Sequence, residues 1–217
     1  MACPPLPSGE SRLIQIVDLA LADTARKSGA WLVCRPGCTQ CCFGVFPISQ
    51  LDGLRLRHGI AEMMASDRAR AVAILDRARQ AVIRLSAGFP GDTATGLLGK
   101  DEETQQQFAD YANDEPCPAL SLETGRCELY AHRPMTCRVF GPPIRSESED
   151  SLAVCELCYH GASTEEIAAC ELHPDPDNVE ASLIEEVERA SGVQGDTIVA
   201  FALAQYYTNS TPRDFAS

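Results

Sequence analysis

Basic residues are scarce in this sequence. Its 217 residues include 18 lysines and arginines against 31 aspartates and glutamates, a formal net charge of −13. Proteins that bind nucleic-acid backbones or anionic membrane surfaces normally present a basic face. The composition therefore argues against nucleic acid and membrane as partners, and excess acid is typical of a surface that keeps a protein soluble.

Long apolar runs are also absent. No run approaches the roughly 18–20 residues that a membrane-spanning helix needs, and residues 1–10 lack the basic and apolar regions of a secretory signal. We therefore expect a cytoplasmic protein, in which clustered thiols indicate metal or redox chemistry. The competing interpretation is a disulfide scaffold whose leader has been removed.

The usual catalytic motifs are missing as well. The sequence has no glycine-rich phosphate loop, no serine nucleophile elbow and no H-E-x-x-H pair. Catalytic residues are therefore unknown at this stage, and whether the protein is an enzyme is left open.

Cysteine, in contrast, is abundant, with eleven residues in the chain. Four of them lie within nine residues around Pro36 and Gly37, namely Cys34, Cys38, Cys41 and Cys42. Proline fixes φ and glycine permits positive φ, so this stretch predicts a turn-rich loop that can fold its sulfurs inward. Thiolates are soft ligands, and ionised neighbours repel unless a cation lies between them, so the loop predicts a metal or iron–sulfur site.

Hydrophobic periodicity predicts a mainly α protein in a single compact domain with a small β-hairpin and irregular Cys-rich metal-binding loops. The hairpin is expected on either side of Thr124 and Gly125, and residues 89–99 are expected to form a loop. Three regions are predicted: a flexible tail at 1–9, a cysteine-cluster domain at 10–160 with N-terminal helices, and a C-terminal helical extension at 161–217. Helices are predicted over 10–30, from Ser49 onward, and over 67–87, 102–113, 164–172, 178–191 and 195–207.

Further cysteine motifs follow in order, and together with the first loop they resemble the YkgJ-like cysteine-cluster family of zinc- or iron-chelating proteins. The resemblance covers roughly residues 34–158. It departs from the family pattern at Leu129, where isoleucine is common, and in having three residues between Cys34 and Cys38. The matching motifs are Cys117-Pro118-x-Leu120, Gly125-x-Cys127-x-Leu129-Tyr130, Arg133-Pro134-x-x-Cys137-Arg138 and Cys155.

The resemblance implies a metal site, but it leaves the metal open between zinc and iron. Cys158 is a further candidate ligand because it follows Cys155 at C-x2-C spacing. Arg133 and Arg138 flank Cys137, so their guanidinium groups would lie behind the ligands and stabilise an anionic thiolate cluster, unless they form ion pairs with the acidic surface. The implied ligands are Cys34, Cys38, Cys41, Cys42, Cys117, Cys127, Cys137 and Cys155.

Eight thiols exceed the four that one Zn²⁺ or one cubane takes, so the sequence allows one or two centres. Three cysteines in one loop and a fourth elsewhere are typical of [4Fe-4S] ligation, and flagellin lysine methylases, which carry a similar cysteine set, resemble iron–sulfur enzymes. We therefore expect an iron–sulfur protein serving in electron transfer or as the redox component of a modification reaction. A zinc-binding structural or interaction module and a metal-trafficking protein are the alternatives. The redox or protein partner and the oligomeric state are unknown.

Overall fold

The computed structural model describes residues 3–145 and 151–208. Its helices are α1 Glu10–Ser28, α2 Gln50–Ser66, α3 Arg68–Leu85, α4 Glu102–Ala109, α5 Met135–Val139, α6 Thr164–Ala169, α7 Val179–Ser191 and α8 Val199–Thr208. Its strands are β1 Gly91–Asp92, β2 Leu97–Leu98, β3 Leu120–Ser121, β4 Arg126–Cys127, β5 Ile144–Arg145 and β6 Leu152–Ala153. Helices dominate, and the strands form three small antiparallel pairs, so the predicted mainly α fold is confirmed.

Local sequence signals fix the helix ends. Gly29 ends α1 with a φ of 51°, in the left-handed region that glycine tolerates. Ser49 caps α2 through a capping box with Asp52, in which each side chain accepts a hydrogen bond from the other residue's backbone N–H. Asp67 caps α3 by accepting from the Arg70 N–H. These ends agree with the prediction, whereas α4 ends earlier and α8 begins later than the periodicity indicates.

The predicted hairpin forms on either side of Thr124 and Gly125, with Leu120 opposite Cys127 in β3–β4. The prediction of a loop over residues 89–99 is wrong in part, because β1 and β2 pair there. The physical reason is a side-chain-supported turn, in which Asp92 accepts hydrogen bonds from the Ala94 N–H at 2.9 Å and the Thr95 hydroxyl at 2.8 Å.

α2 is the central helix, because its first ten residues include buried side chains on opposite faces. On one face, Leu56 and Ile60 pack with Ile74 and Leu75 of α3 and with Leu203 of α8. The opposite face contributes to a second core, whose buried members are Leu13, Val17, Leu51, Leu54, Met135, Val139, Leu172, Leu183 and Val187.

α8 belongs to the main core. Its residues Val199, Ala202 and Leu203 are buried against α2 and α3. Just before it, Thr197 exchanges two backbone hydrogen bonds with Ile48, at 2.8 and 3.0 Å, which join the segment before α8 to the start of α2. Near the other end of the chain, Cys3 packs against the second core.

A buried arginine holds the second core together. Arg55 is 2% exposed, and its guanidinium pairs with Glu10 of α1 at 2.9 Å, with Asp52 at 2.5 Å and with Glu180 of α7 at 3.6 Å. Asp52 also accepts a hydrogen bond from the Met135 N–H at 2.8 Å, at the first residue of α5. Four helices therefore meet at one charge network, and removing a partner would leave a buried charge unpaired.

Within residues 3–145 and 151–208, no helix combines the length and hydrophobicity that a bilayer crossing requires. The acidic loop tip predicted over Ser146–Ser151 falls mostly on residues 146–150, which lie outside the described residues.

Glu180 provides a pH test of this network. Burial, reinforced by the nearby Asp52 carboxylate, raises the pKa of Glu180 from 4.5 to about 7. The folded state then holds a proton that the unfolded chain has released, so this group's contribution to stability is complete below about pH 4.5 and is lost as the pH rises through about 7. We expect Glu180→Gln to remove this loss, so the variant gains stability relative to wild type between pH 5 and pH 8.

Urea unfolding of both proteins at several pH values would measure this gain, because the thiols contribute equally to both curves and cancel in the difference. A constant difference between variant and wild type across the range would contradict the assigned role of Glu180.

Candidate metal centre

The loop at residues 34–42 is built from two consecutive turns. The Cys38 N–H donates to the Arg35 carbonyl at 2.9 Å, and the Cys42 N–H donates to the Thr39 carbonyl at 2.8 Å. Gly37, within the first turn, has a φ of 93°, which a residue with a Cβ adopts only with strain. The chain therefore reverses within a few residues and keeps its four cysteines on one compact segment.

The β3–β4 hairpin lies beside this loop. The Cys117 N–H donates to the Cys42 carbonyl at 2.8 Å, and Phe43 and Pro116 form a bridge immediately alongside. Because Cys127 is paired with Leu120 in the hairpin, the same sheet places it near Cys117. Two cysteines far along the sequence are thus brought to the first loop.

α5 adds a further cysteine. Its first N–H is held by Asp52, as described above, and Cys137 lies in the middle of this short helix. The Cys137 thiol interacts electrostatically with those of Cys41, Cys117 and Cys127. The buried ion pair of α2 therefore positions a residue of the cysteine cluster.

Eight of the nine cysteines predicted as ligands fall into two sets. The inner set is Cys41, Cys117, Cys127 and Cys137, and the outer set is Cys34, Cys38, Cys155 and Cys158. All six pairs of thiols within the inner set interact electrostatically. In the outer set, Cys34 interacts with the other three members, and Cys155 interacts with Cys38 and Cys158.

The remaining cysteines lie around these sets. Cys42 hydrogen-bonds to Cys41 through its side chain and interacts with Cys117 and Cys127, so it lies at the edge of the inner set. Cys170 is buried beside Tyr159, next to the outer set. All eleven cysteines, each within the described ranges, are free thiols. Among the described residues, no three His, Cys, Asp or Glu side chains have the close spacing of ligands around one metal ion.

A cavity of about 720 Å³ opens between the loop, the hairpin, α1 and α5. Its described wall contains seven cysteines and four arginines but no aspartate, glutamate or lysine. This is unexpected in a chain with a net charge of −13. The wall also includes apolar residues of α1, such as Leu21 and Ala25. The cavity therefore presents sulfur and positive charge on an apolar background.

Thiol acidity differs sharply within the inner set. The side-chain hydrogen bond from Cys42, helped by the Arg133 charge, lowers the pKa of Cys41 to about 6. Burial raises the pKa of Cys117 to about 12 and also raises those of Cys127 and Cys137. Three of the four inner thiols are therefore neutral at pH 7 unless a cation stabilises their thiolates.

The two arginines predicted to lie near the cluster have different surroundings. Arg133 stacks on the Tyr130 ring at 3.9 Å, and its Nε is buried without a hydrogen-bond partner among the described residues. Arg138 pairs with Asp18 of α1 at 2.7 Å and donates to the Ala131 carbonyl at 2.9 Å. Arg138 thus forms the ion pair that the sequence left as an alternative, and the Arg133 charge acts on the thiols of Cys41 and Cys127.

The contacts that hold the hairpin were not predicted from the sequence. Arg70 and Arg77 of α3 both pair with Glu128, next to Cys127. Arg77 also donates to the Pro118 carbonyl at 2.9 Å, next to Cys117. Arg84 pairs with Glu115 on the same side of the helix. The signal was the spacing of seven residues between these arginines, which places them on one helix face.

The donor chemistry of these residues fits a thiophilic metal. Sulfur-rich sites select zinc, copper(I) or iron–sulfur clusters, whereas calcium and magnesium require the oxygen ligands that the cavity wall lacks. The buried Arg133 Nε, which has no partner, provides a positive charge beside thiols that become anionic on binding a metal.

Comparison with known proteins agrees with this geometry. The CxxCxxCC family model, described as "Putative zinc- or iron-chelating domain", matches residues 33–159. This range includes both cysteine sets and agrees with the family resemblance drawn from the motifs. No curated protein and no solved structure matches the chain.

We expect Arg77→Ala to weaken metal retention, because the substitution removes two contacts that hold the hairpin carrying Cys117 and Cys127. Metal content after dialysis against a moderate chelator measures the effect. Arg79→Ala is the matched control, since Arg79 lies on the same helix and pairs with Asp76 of that helix at 3.5 Å. Equal metal loss in both variants would contradict a specific role for the hairpin contacts.

We also expect Cys41 to be the inner-set thiol that reacts fastest with iodoacetamide in metal-free protein at pH 7, because its pKa lies near 6. Mass spectrometry after brief labelling would identify the modified residue. Arg133→Gln should raise the pKa of Cys41 and slow its labelling, whereas Arg126→Gln, a change at an exposed position on the same cavity wall, should not. Faster labelling of Cys127 than of Cys41 would refute this assignment.

Proposed function

Because the chain belongs to the CxxCxxCC family and carries its zinc- or iron-chelating domain, we propose that it is an iron–sulfur protein whose inner set, Cys41, Cys117, Cys127 and Cys137, holds a [4Fe-4S] cluster. Its role is electron transfer, or the redox step of a modification reaction. We place it in the cytoplasm, where reducing conditions keep thiols available as ligands.

The charge of the cavity wall is the observation that carries this proposal. A cluster held by four thiolates is anionic, and burying an anion costs free energy unless positive charge lies nearby. The described cavity wall contains four arginines and no acidic residue, and one of the four, Arg138, is paired with Asp18 of α1. Such a wall suits an anionic occupant and disfavours a free cation without thiolates.

The size of the cavity favours a cluster over a single zinc ion. Structural zinc sites are closed, with four ligands packed around one ion. A space of about 720 Å³ lies within the range of small-molecule pockets and exceeds what one ion fills. Binding would require the loop thiols to turn toward a common point, and the turns around Gly37 give this segment that freedom.

When bound, a [4Fe-4S] cluster supplies one-electron redox chemistry. The chain's own residues then set the conditions for that chemistry. Arg133 lies beside Cys41 and Cys127, where its charge favours the reduced, more negative state. Leu21, Ala22 and Ala25 give the α1 side of the cavity an apolar wall.

Anaerobic purification followed by iron, sulfide and zinc analysis tests the proposal. We expect broad visible absorption from sulfur-to-iron charge transfer, with matching iron and sulfide contents. Cys137→Ser should abolish the absorption, and Cys3→Ser should leave it unchanged, because Cys3 packs against the second core and lies outside both sets.

The zinc-binding module is the main alternative, and the same measurement separates it. Zinc has a filled d-shell, so a colourless, zinc-loaded protein from iron-replete cells would overturn the iron proposal. Loosely bound metal at low stoichiometry would instead favour a trafficking role.

A further inference from the structure

We infer that the outer set forms a second, separate metal centre, a closed tetrahedral zinc site held by Cys34, Cys38, Cys155 and Cys158. This inference does not depend on which metal the inner set binds. It assigns to each centre its own four thiols.

The spacing within the outer set is that of a structural zinc site. Cys34 and Cys38 are separated by three residues, and Cys155 and Cys158 by two. Two such close pairs, brought together from distant parts of a chain, are the usual way in which proteins build tetrahedral sites with four sulfurs. The inner set lacks this pattern, because its members lie at least ten positions apart in the sequence.

Gly141 brings the two pairs together. Its carbonyl accepts a hydrogen bond from the Cys155 N–H at 3.3 Å, and a Cβ at this glycine would lie 2.8 Å from the Cys34 Sγ. Gly141 has a φ of 124°, which also favours glycine. The backbone at Gly141 is therefore in contact with both halves of the set, at an approach that a side chain would block.

The thiols of the outer set lie near one another. Cys34 interacts electrostatically with the other three members, and Cys155 with Cys38 and Cys158. The Cys158 N–H donates to the Cys155 carbonyl at 2.8 Å, closing the turn that holds the second pair. The two pairs therefore lie side by side, and binding zinc would require their sulfurs to turn toward a common point, because no three described side chains already have ligand spacing.

The surroundings of the outer set suit a structural ion. Cys155 and Cys158 are each 5% exposed and pack with Tyr159 and with Trp31 from the segment that follows α1. The Tyr159 N–H donates to the Trp31 carbonyl at 3.0 Å, and its hydroxyl hydrogen-bonds to Ser28 at the end of α1. Four thiolates around zinc would leave no open coordination position, so this centre would stabilise the fold without reacting.

The two sets differ in how much of each faces the cavity. Among the described cysteines, all four inner-set members line the cavity, together with Cys42, Cys34 and Cys38, while Cys155 and Cys158 belong to the buried cluster around Tyr159. Cys34 and Cys38 therefore stand in the wall between the cavity and the buried pair, Cys155 and Cys158. A zinc ion there would fix one side of the cavity that holds the inner centre.

Metal analysis of variants of the full chain, purified anaerobically from medium containing iron and zinc, tests the assignment. We expect the wild-type protein to contain one zinc per chain in addition to cluster iron. Cys158→Ser and Cys38→Ser should lose the zinc and retain the iron and the visible absorption. Cys127→Ser should lose the iron and retain the zinc, and Cys170→Ser, a buried control next to Tyr159, should retain both.

Several outcomes would overturn the inference. They are a wild-type protein without zinc, a second cluster in place of the zinc, or a folded Cys38→Ser variant that loses both metals or neither. Cys38 is the decisive position if Cys158→Ser fails to fold, because it lies on the loop and outside the buried cluster; circular dichroism would verify folding. If the protein contains zinc at both centres and the variants still separate them, the inference stands and the iron–sulfur function fails.

Discussion

The buried ion pair between Asp52 and Arg55 connects the fold with the site. Asp52 caps its own helix, neutralises Arg55 and accepts the first N–H of α5, while Arg55 reaches Glu10 and approaches Glu180. One carboxylate therefore fixes the start of α2 and the short helix that carries Cys137. A helix of five residues has little stability of its own, so this anchor is what keeps Cys137 in register with the loop and the hairpin.

The same principle, of a rigid helical frame holding irregular cysteine segments, recurs around the cavity. The hairpin that carries Cys117 and Cys127 is attached to α3 through Glu128 and its arginine partners. The turn that carries Cys155 and Cys158 is attached to the end of α1 through Tyr159. The thiols thus belong to short loops whose positions are set by charge pairs and hydrogen bonds from the helices. Glu128 is the acidic partner in the first of these attachments, and the described cavity wall contains no acidic residue.

Patterns that act over a few residues could be predicted from the sequence. The hydrophobic stripe of α3, the Ser49 cap and the hairpin at Gly125 all depend on local spacing, and all are present in the fold. The cysteine motifs likewise indicated the family, and the matched range includes both sets. Short-range signals are sufficient here because caps, turns and helix faces are determined by neighbours in the sequence.

Long-range pairing could not be predicted in the same way. Nothing in the spacing of Cys34 and Cys41 indicates that they join different sets, because that division depends on where Gly141 and the hairpin lie in space. The buried position of Arg55 was equally hidden, since an arginine in a helix is usually solvated. The spacing of seven residues between Arg70, Arg77 and Arg84 indicates that they share one face of α3, but their acidic partners are apparent only from the fold.

The position of α8 has a consequence for biogenesis. Its residues Val199, Ala202 and Leu203 complete the main core, yet the last cysteine, Cys170, precedes them in the chain. During synthesis from the N-terminus, every cysteine is therefore translated before the helix that completes the main core. All eleven thiols thus belong for a time to a chain that cannot yet form its full helical shell, and the ligands exist before the frame that positions them is complete.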